Sequence, residues 1–484
     1  MHCSKILLVV EKIGTLLAKC LFVNRKTPNI YEKDPIVDIP NKATSIKLFD
    51  FKSIQMRTFH MTWAAFHLCF FGWFGIAPLM AVVREDLMLT KSQIGSTIIA
   101  SVAITVVVRL LIGPLCEKFG PRKTYAWLLM LGAIPVATIG LANSYESFLL
   151  FRLGIGAIGA SFVITQYHTS VMFAPNVVGL ANATTAGWGN LGGGVTQLVM
   201  PLVFAAILTF GVSEAAGWRI AMIVPGVVLF LMGLAYLKYT KDTPDGNFDE
   251  LRAAGKLPMP VKEHSAMATF KAAAGDRRVW ALFVVYAACF GVELTINNIA
   301  AIYFFDEFGL SLAVAGTLAA CFGLMNLFAR SLGGYFSDKF AAKSGLNGRV
   351  KFLFIVLFIE GLALIAFSQT TTIVIAVSVM LVFSLFTQMS EGATFGIVPF
   401  INKKALGAVA GIVGAGGNAG AVAAGFLFKS ESLTYQEGLF YLGCAVVVAS
   451  FCSLAVRFSA DAVSEESRLF AESQAQADME AAGA

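Results

Sequence analysis

Apolar positions recur along this chain in long blocks, broken by short polar or basic interruptions. Twelve such blocks can be delimited, at residues 59–83, 94–116, 124–142, 147–173, 178–210, 218–238, 279–305, 312–336, 350–368, 372–398, 404–429 and 437–457. A helix of about twenty residues crosses the hydrocarbon core of a bilayer. The pattern therefore predicts an all-α polytopic membrane protein with twelve transmembrane helices. Composition agrees: 57% of residues are hydrophobic, only 14% are charged, and the mean hydropathy is +0.74. An ordinary soluble globule is excluded.

The interruptions predict an orientation. With both termini cytoplasmic, the inner loops hold Lys118, Arg122, Lys123, Lys339, Lys343, Arg349, Lys351, Lys403 and Lys404, and segment 238–278 adds eight more basic residues. The outer loops offer little beyond Arg84, Lys91 and Lys429. This is the positive-inside asymmetry of short loops, and it accounts for the net charge of +6 without a nucleic-acid partner. Residues 1–55 form an expected cytoplasmic N-terminal segment. Within it, "KILLVVEKIGTLLAKCLFV" places Lys5, Lys12 and Lys19 on one side of a helix, a pattern suited to the membrane interface or to targeting. The Ala-, Ser- and Glu-rich tail, 458–484, is expected to be disordered. Eight scattered cysteines, none in a Cys-x-x-Cys pair, read as packing residues. No nucleophile–base or metal constellation stands out, so no enzyme, cofactor or metal is expected.

One charge is out of place. Arg109 lies deep in the second block, where a guanidinium costs roughly 2.5–3.5 kcal/mol on insertion scales. An internal repeat gives it a counterpart. Arg109, Gly113, Glu117, Lys118 and Phe119 are matched by Arg330, Gly334, Asp338, Lys339 and Phe340 at the end of the eighth block. Upstream, "REDLMLTKSQIG" (84–95) aligns with "FDEFGLSLAVAG" (305–316) at the same offset. Gly179, Ala183, Gly187, Gly189 and Asn190 of the fifth block likewise match Gly407, Gly411, Ala415, Gly417 and Asn418 of the eleventh. The chain thus reads as two six-helix halves, 56–238 and 279–457, joined by a cytoplasmic linker, 239–278. Parallel repeats with a site between them near mid-membrane describe the major facilitator architecture. "GPLCEKFGPRK" (113–123) resembles that superfamily's loop motif between spans 2 and 3, which assigns Glu117, Lys118 and Arg122 to the gating scaffold.

Pseudo-symmetry brings Arg109 and Arg330 toward one axis. Two guanidiniums facing a shared space repel unless an anion comes between them, so transport of a small anion is the favoured reading. A structural ion pair with Glu293 or Glu391 is the competing one. "AGWGNLGGGV" (186–195) and "GIVGAGGNAGAV" (411–422) reduce one helix of each half almost to backbone, which permits close helix approach. Asn190 and Asn418 follow the glycines at matching places. Donation to a substrate, orientation of the arginines and plain interhelical bonding are all open to them. Glu293, Glu360, Glu391, His67 and His168 are intramembrane groups able to carry protons.

Four stretches carry a specific likeness: "AGWGNLGGGVTQLVMP" (186–201), "FGVELTINNIAAIYFFDEF" (290–308), "EGATFGIVPFI" (391–401) and "GAGGNAGAV" (414–422). They resemble the nitrate/nitrite porter family, more strongly its high-affinity plant and algal members than its bacterial exchangers, from about residue 40 to 457. The resemblance implies that Arg109 and Arg330 hold the anion and that Phe162, Tyr286 and Phe290 form an aromatic clamp. It also places Asn190 and Asn418 among the substrate-binding residues. Gly187, Gly189, Gly192, Gly414, Gly416 and Gly417 fall in the two glycine-rich signatures. A planar anion with delocalised charge suits two guanidinium forks, and flat rings suit its faces. Tyr286, Phe290, Glu293 and Asn297 also share one helical stripe. The expectation is a plasma-membrane importer of nitrate, and of nitrite as a second substrate, driven by proton symport with alternating access. Glu293, Glu391 and His168 are the candidate coupling groups. Nitrate/nitrite exchange and a sensor without useful flux are the alternatives, and some relatives use a small accessory membrane protein.

Overall fold

Several helix starts along the chain are set by capping side chains. Ser53 accepts from Met56 N, Asp276 from Arg278 N and Ser311 from Val314 N, while Thr90 with Gln93 and Thr434 with Glu437 form reciprocal capping boxes. Each satisfies backbone donors that a helix leaves free at its first turn. The computed structural model describes residues 41–174, 176–256, 264–402, 405–430 and 432–482. The amphipathic stretch within residues 1–40, together with Lys403 and Lys404, lies outside them.

Eleven helical segments among the described residues are long and apolar enough to cross a membrane. In the first half these are α1 (Ile54–Asp86), α2 (Ser92–Phe119), α3 (Pro121–Leu141), α4 (Tyr145–Met172), α5 (Val178–Leu208) and α6 (Glu214–Tyr239). The second half opens with α7 (Arg277–Phe308) and closes with α10 (Ile373–Phe400), α11 (Leu406–Lys429) and α12 (Tyr435–Ala455). Between them runs Val314–Ser368, 55 residues long. It is broken at Ser344 (φ −141°) and Gly345 (φ 58°). Beyond that break the Phe352 ring returns to within 5.2 Å of Phe340 and 6.1 Å of Phe336, an approach impossible in a straight helix rising 1.5 Å per residue. The segment is therefore two antiparallel passes, α8 (314–343) and α9 (346–368), and the expected twelve are all present. The left-handed turn needs Gly345, because a side chain at positive φ is strained.

The halves meet crosswise: α2 packs on α11, and α8 on α5. These are the helices that the repeat equates, so the pseudo-symmetry of the sequence lies at the interface. Large apolar side chains such as Leu131, Leu150, Leu202 and Val374 remain exposed on the outside, as a lipid-facing surface requires.

Linker and loop motif form one joint. Gly120 (φ 85°) sits where a Cβ would run into Asp242. Asp242 accepts from the backbone N–H of Arg122 (2.9 Å) and of Phe248 (3.0 Å). Arg122 donates to Leu237 O at the end of α6 (2.6 and 2.9 Å), and Arg252 to Lys118 O and Glu117 O (2.7 and 2.9 Å). Burial pushes the Asp242 carboxyl above its usual value, against those two N–H bonds and the nearby Arg122 charge. The scaffold reading of Arg122 holds. In the second half, Asp338 pairs with Arg349 (2.5 Å) and abuts Gly179 at the start of α5. Glu117 faces Gly407 at the start of α11. Each half thus places an acidic group against a helix N-terminus of the other, where the helix dipole favours negative charge.

The tail differs from expectation. Ala460–Ala482 is a helix, held locally by Arg468 with Glu465 (2.9 Å) and Glu472 (2.5 Å), and Val463 touches Gly345 at the α8–α9 turn. Ala, Glu, Gln and Arg are strong helix formers, and the polar composition that suggests disorder does not oppose a helix lying on a surface.

Candidate functional site

Arg109 is fully buried. Its Nε and Nη2 donate to Gly159 O (3.2 and 3.0 Å), and Nη1 donates to Gly414 O. Gly159 O is accessible because α4 passes through a tighter 3₁₀ turn at Ala157–Ala160, which loosens the ordinary i→i−4 pairing. No carboxylate among the described residues lies within 4 Å of Arg109, so carbonyl dipoles and neighbouring aromatic faces balance its charge.

Arg330, also fully buried, is held differently. It is ion-paired with Glu391, has Glu293 Oε2 at 3.9 Å, and donates from Nη2 to Tyr286 Oη at 2.9 Å. The competing ion-pair reading therefore describes Arg330 but not Arg109. For Asn190 the structure shows interhelical bonding, one of the alternatives open to it. Its amide donates to Glu293 Oε2 (2.8 Å) and Glu391 Oε2 (3.4 Å), so it orients the carboxylates and not the arginines. Asn326, which sequence reasoning missed, donates to Glu293 Oε1 (2.8 Å). Among the described residues Asn418 donates to Val102 O on α2, at 3.5 Å, an interhelical bond. Asn190 Oδ1, Arg330 Nε and Glu391 Oε1 are buried without a hydrogen-bond partner among the described residues.

The aromatic residues converge as expected. Phe162, Tyr286 and Phe290 stack pairwise, with centroids 5.1–5.8 Å apart and interplanar angles of 15–25°. Phe395 of α10, also missed, closes the group edge-on to Phe162 (4.8 Å) and Tyr286 (4.9 Å). Both guanidiniums share these rings. Arg109 Cζ lies 5.1 Å from the Phe162 centroid and 5.3 Å from that of Phe290; for Arg330 the distances are 5.5 and 6.0 Å. Both missed residues had a signal, since Asn326 precedes Arg330 by four and Phe395 follows Glu391 by four, each pair on one helix face.

The glycine signatures make this packing feasible. A Cβ on Gly187 would lie 3.0 Å from Arg330 Cβ and 2.9 Å from Asn326 O. On Gly414 it would lie 3.3 Å from Arg109 Nη1 and 3.5 Å from Phe162. Gly189, Gly192, Gly416 and Gly417 similarly admit Phe66, His67 O, Phe283 O and Phe290. Each glycine-rich helix therefore seats one arginine.

Three proton-carrier candidates fall elsewhere. His168 is buried at the linker end of the first half, where Nε2 donates to Lys241 O (2.7 Å) and Tyr236 Oη donates to Nδ1 (2.7 Å). It is a structural latch, placed there because α4 runs on past the site. His67 Nδ1 donates to Trp188 O at 3.1 Å. Glu360 lies behind α10 against Thr387 and Ser390. A small cavity of about 20 Å³ on the linker side borders Arg109, Glu117, Gly407 and Phe270. A larger one, about 160 Å³, opens on the opposite side with Val102 among its lining residues.

Two six-helix halves that meet around buried arginines and carboxylates, with a small cavity bordering Arg109 on the linker side and a larger one on the opposite side, have the architecture of a membrane transporter. Residues 62–425 match the Major Facilitator Superfamily. The chain is 41% identical over 421 residues to "High affinity nitrate transporter 2.5" of Arabidopsis thaliana, covering 87% of this chain and 82% of that protein. It is 35% identical over 448 residues to "Nitrate transporter 2.1" of Chlamydomonas reinhardtii, covering 91% and 81%. With "Nitrate/nitrite transporter NrtP" of Nostoc punctiforme it shares 29% over 470 residues, covering 84% and 92%. In fold it is similar to a bacterial homologue of the human lysosomal transporter Spinster, with a TM-score of 0.59 at 17% identity, covering 87% of this chain and 98% of that one. A human organic anion transporter gives a TM-score of 0.55 at 15% identity, with 82% and 99% covered. The chain belongs to the major facilitator superfamily and, within it, to the nitrate/nitrite porter family.

Proposed function

We propose that this protein imports nitrate, and accepts nitrite, by alternating access at the Arg109–Arg330 site, with protons as the coupling ion. The observation that carries the reading is Arg109: a buried guanidinium without a carboxylate partner, sharing the faces of Phe162 and Phe290 with a second arginine. A planar monovalent anion between the two forks would gain charge-assisted hydrogen bonds from both, including the free Arg330 Nε. The names of the relatives supply nitrate and nitrite as the anions.

Charge balance supports coupling. Two guanidiniums and the Glu293–Glu391 pair sum to zero when all are ionised, so an incoming anion leaves the buried cluster at −1. A proton on either carboxylate restores neutrality, and one on Glu391 releases Arg330 from its ion pair, turning that fork toward the anion. His168 has no part in this. Drawing an anion into a negative-inside cell costs about 2.3 kcal/mol per charge per 100 mV. More than one proton per anion makes the transported charge positive, so that the membrane potential drives import. The linker side is then cytoplasmic, which the basic residues of its loops support, and the plasma membrane is the site of action.

Labelled nitrate flux into proteoliposomes under imposed pH and voltage tests the reading. Import driven by an inward proton gradient, without internal nitrite or nitrate, is the expected result. Electroneutral flux that requires an internal anion would replace symport with exchange and leave the anion site intact.

A further inference from the structure

The larger cavity, on the side opposite the linker, lies between the halves. Its walls come from α1 and α2 of the first half and from α7, α11 and the start of α12 in the second. Two cations line it, Arg84 and Lys429. Few basic residues occur on that side of the sequence, and two of them meet at this one opening.

Two nearby carboxylates are engaged by other residues. Asp86, two residues from Arg84, is ion-paired with Arg219 and also accepts from Trp218 Nε1 (2.9 Å). Glu307 accepts from Gln436 Nε2 (2.7 Å). Among the described residues neither Arg84 nor Lys429 has an ion-pair partner. Asp306 is the one carboxylate among the described lining residues, and it is exposed. Lys429 is seated by Gly95, where a Cβ would lie 3.1 Å from Lys429 Cβ, so α11 ends directly against α2. The floor includes Val102, whose carbonyl accepts from Asn418 four residues beyond Gly414, the glycine that seats Arg109. The space is thus lined by two cations without an ion-pair partner among the described residues, and its wall reaches, through Val102 and Asn418, the helix that seats Arg109.

We propose that Arg84 and Lys429 form a second, outer site for small monovalent oxyanions, which collects the anion before it passes to Arg109 and Arg330. This rests on the anion-carrier reading above. Low-dielectric walls focus the field of the two cations and raise the local anion concentration and the on-rate, an effect that ionic strength screens. The outer site sets capture, and the inner site sets selection and transport.

The test is initial nitrate uptake in proteoliposomes by the wild type, Arg84→Gln, Lys429→Gln and the double variant, at low and high potassium gluconate. The double variant should raise KM about three- to tenfold at low salt with kcat little changed. Wild-type KM should rise with salt while that of the double variant stays flat. Arg84→Lys and Lys429→Arg, which keep the charge, should behave as wild type. Nitrate protection against thermal unfolding in detergent, which reports the inner site, should be equal in all variants. An unchanged KM with a wild-type salt dependence in the double variant overturns the outer site and leaves the inner one standing. If the wild type itself carries no anion, the carrier reading falls first. Equal losses in charge-keeping and charge-removing variants would mean that shape, not charge, matters here, and would also overturn the proposal.

Discussion

At the scale of single residues, the two arginines that the repeat makes equivalent are not equivalent in their surroundings. Removing one partner of a buried ion pair typically costs 3–5 kcal/mol, because the other charge is left uncompensated. Arg330→Ala strands Glu391 and Glu293 and should lower both transport and stability. Arg109→Ala frees only carbonyls of Gly159 and Gly414, so it should abolish uptake while the Tm in detergent falls much less. Adding Glu391→Gln to Arg330→Ala should recover Tm but not flux. Equal Tm losses in the two single variants would contradict this asymmetry. Lysine at position 109 should restore little uptake, since a point charge lacks the planar fork. In the stacked rings, Phe290→Ala or Phe162→Ala should erode discrimination between planar nitrate and tetrahedral perchlorate in a competition assay, through loss of the flat walls. Selectivity unchanged in both would return these rings to packing.

Among the helices, glycine positions decide how closely the halves approach. The two signature glycines that seat the arginines differ in tolerance. A Cβ at Gly187 meets backbone oxygen and Arg330 Cβ at 2.9–3.0 Å, whereas at Gly414 it meets side-chain atoms at 3.3–3.5 Å. Gly187→Ala should therefore cut uptake severely, and Gly414→Ala only modestly; the reverse order in the flux assay would count against this geometry. The Gly120–Asp242 joint yields a pH-dependent prediction. Burial raises the Asp242 carboxyl above its usual 3.8 in the folded protein, so its contribution to stability is full below that value and is lost as pH rises through the raised pKa. The Tm difference between wild type and Asp242→Asn, followed from pH 4 to 7, should move against the wild type as pH rises. A flat difference would mean that the two N–H bonds cancel burial, and a difference moving in favour of the wild type would mean that they outweigh it.

Over the whole molecule, the crosswise contact of α2 with α11 and α8 with α5 places the buried charges at the interface between the halves. If Glu293 or Glu391 binds the coupling proton, nitrate should evoke a positive inward current at acidic external pH that disappears when the proton gradient and voltage are collapsed. Glu293→Gln should reduce pH-driven accumulation by about tenfold or more while nitrate protection in detergent stays close to wild type. Equal loss of binding and accumulation would make Glu293 a structural partner of Asn190 and Asn326 only.

The sequence by itself determined what is local or repeated. Hydrophobic length sets the number of spans, since a bilayer imposes one thickness on every helix. The repeat sets the two halves and pairs Arg109 with Arg330, because duplicated segments keep their register. The i, i+4, i+7 stripe places Tyr286, Phe290 and Glu293 on one face. Only the tertiary structure decided which charges meet. Arg330 and Glu391 are 61 residues apart, and nothing in either segment says which of three buried carboxylates the guanidinium takes. The break at Ala157–Ala160 that offers Gly159 O to Arg109, and the end of α4 that carries His168 away from the site, likewise depend on how separate helices stack. Span count follows from one helix and its solvent. The partner of a buried charge follows from the arrangement of five helices together, and only the folded molecule holds that information.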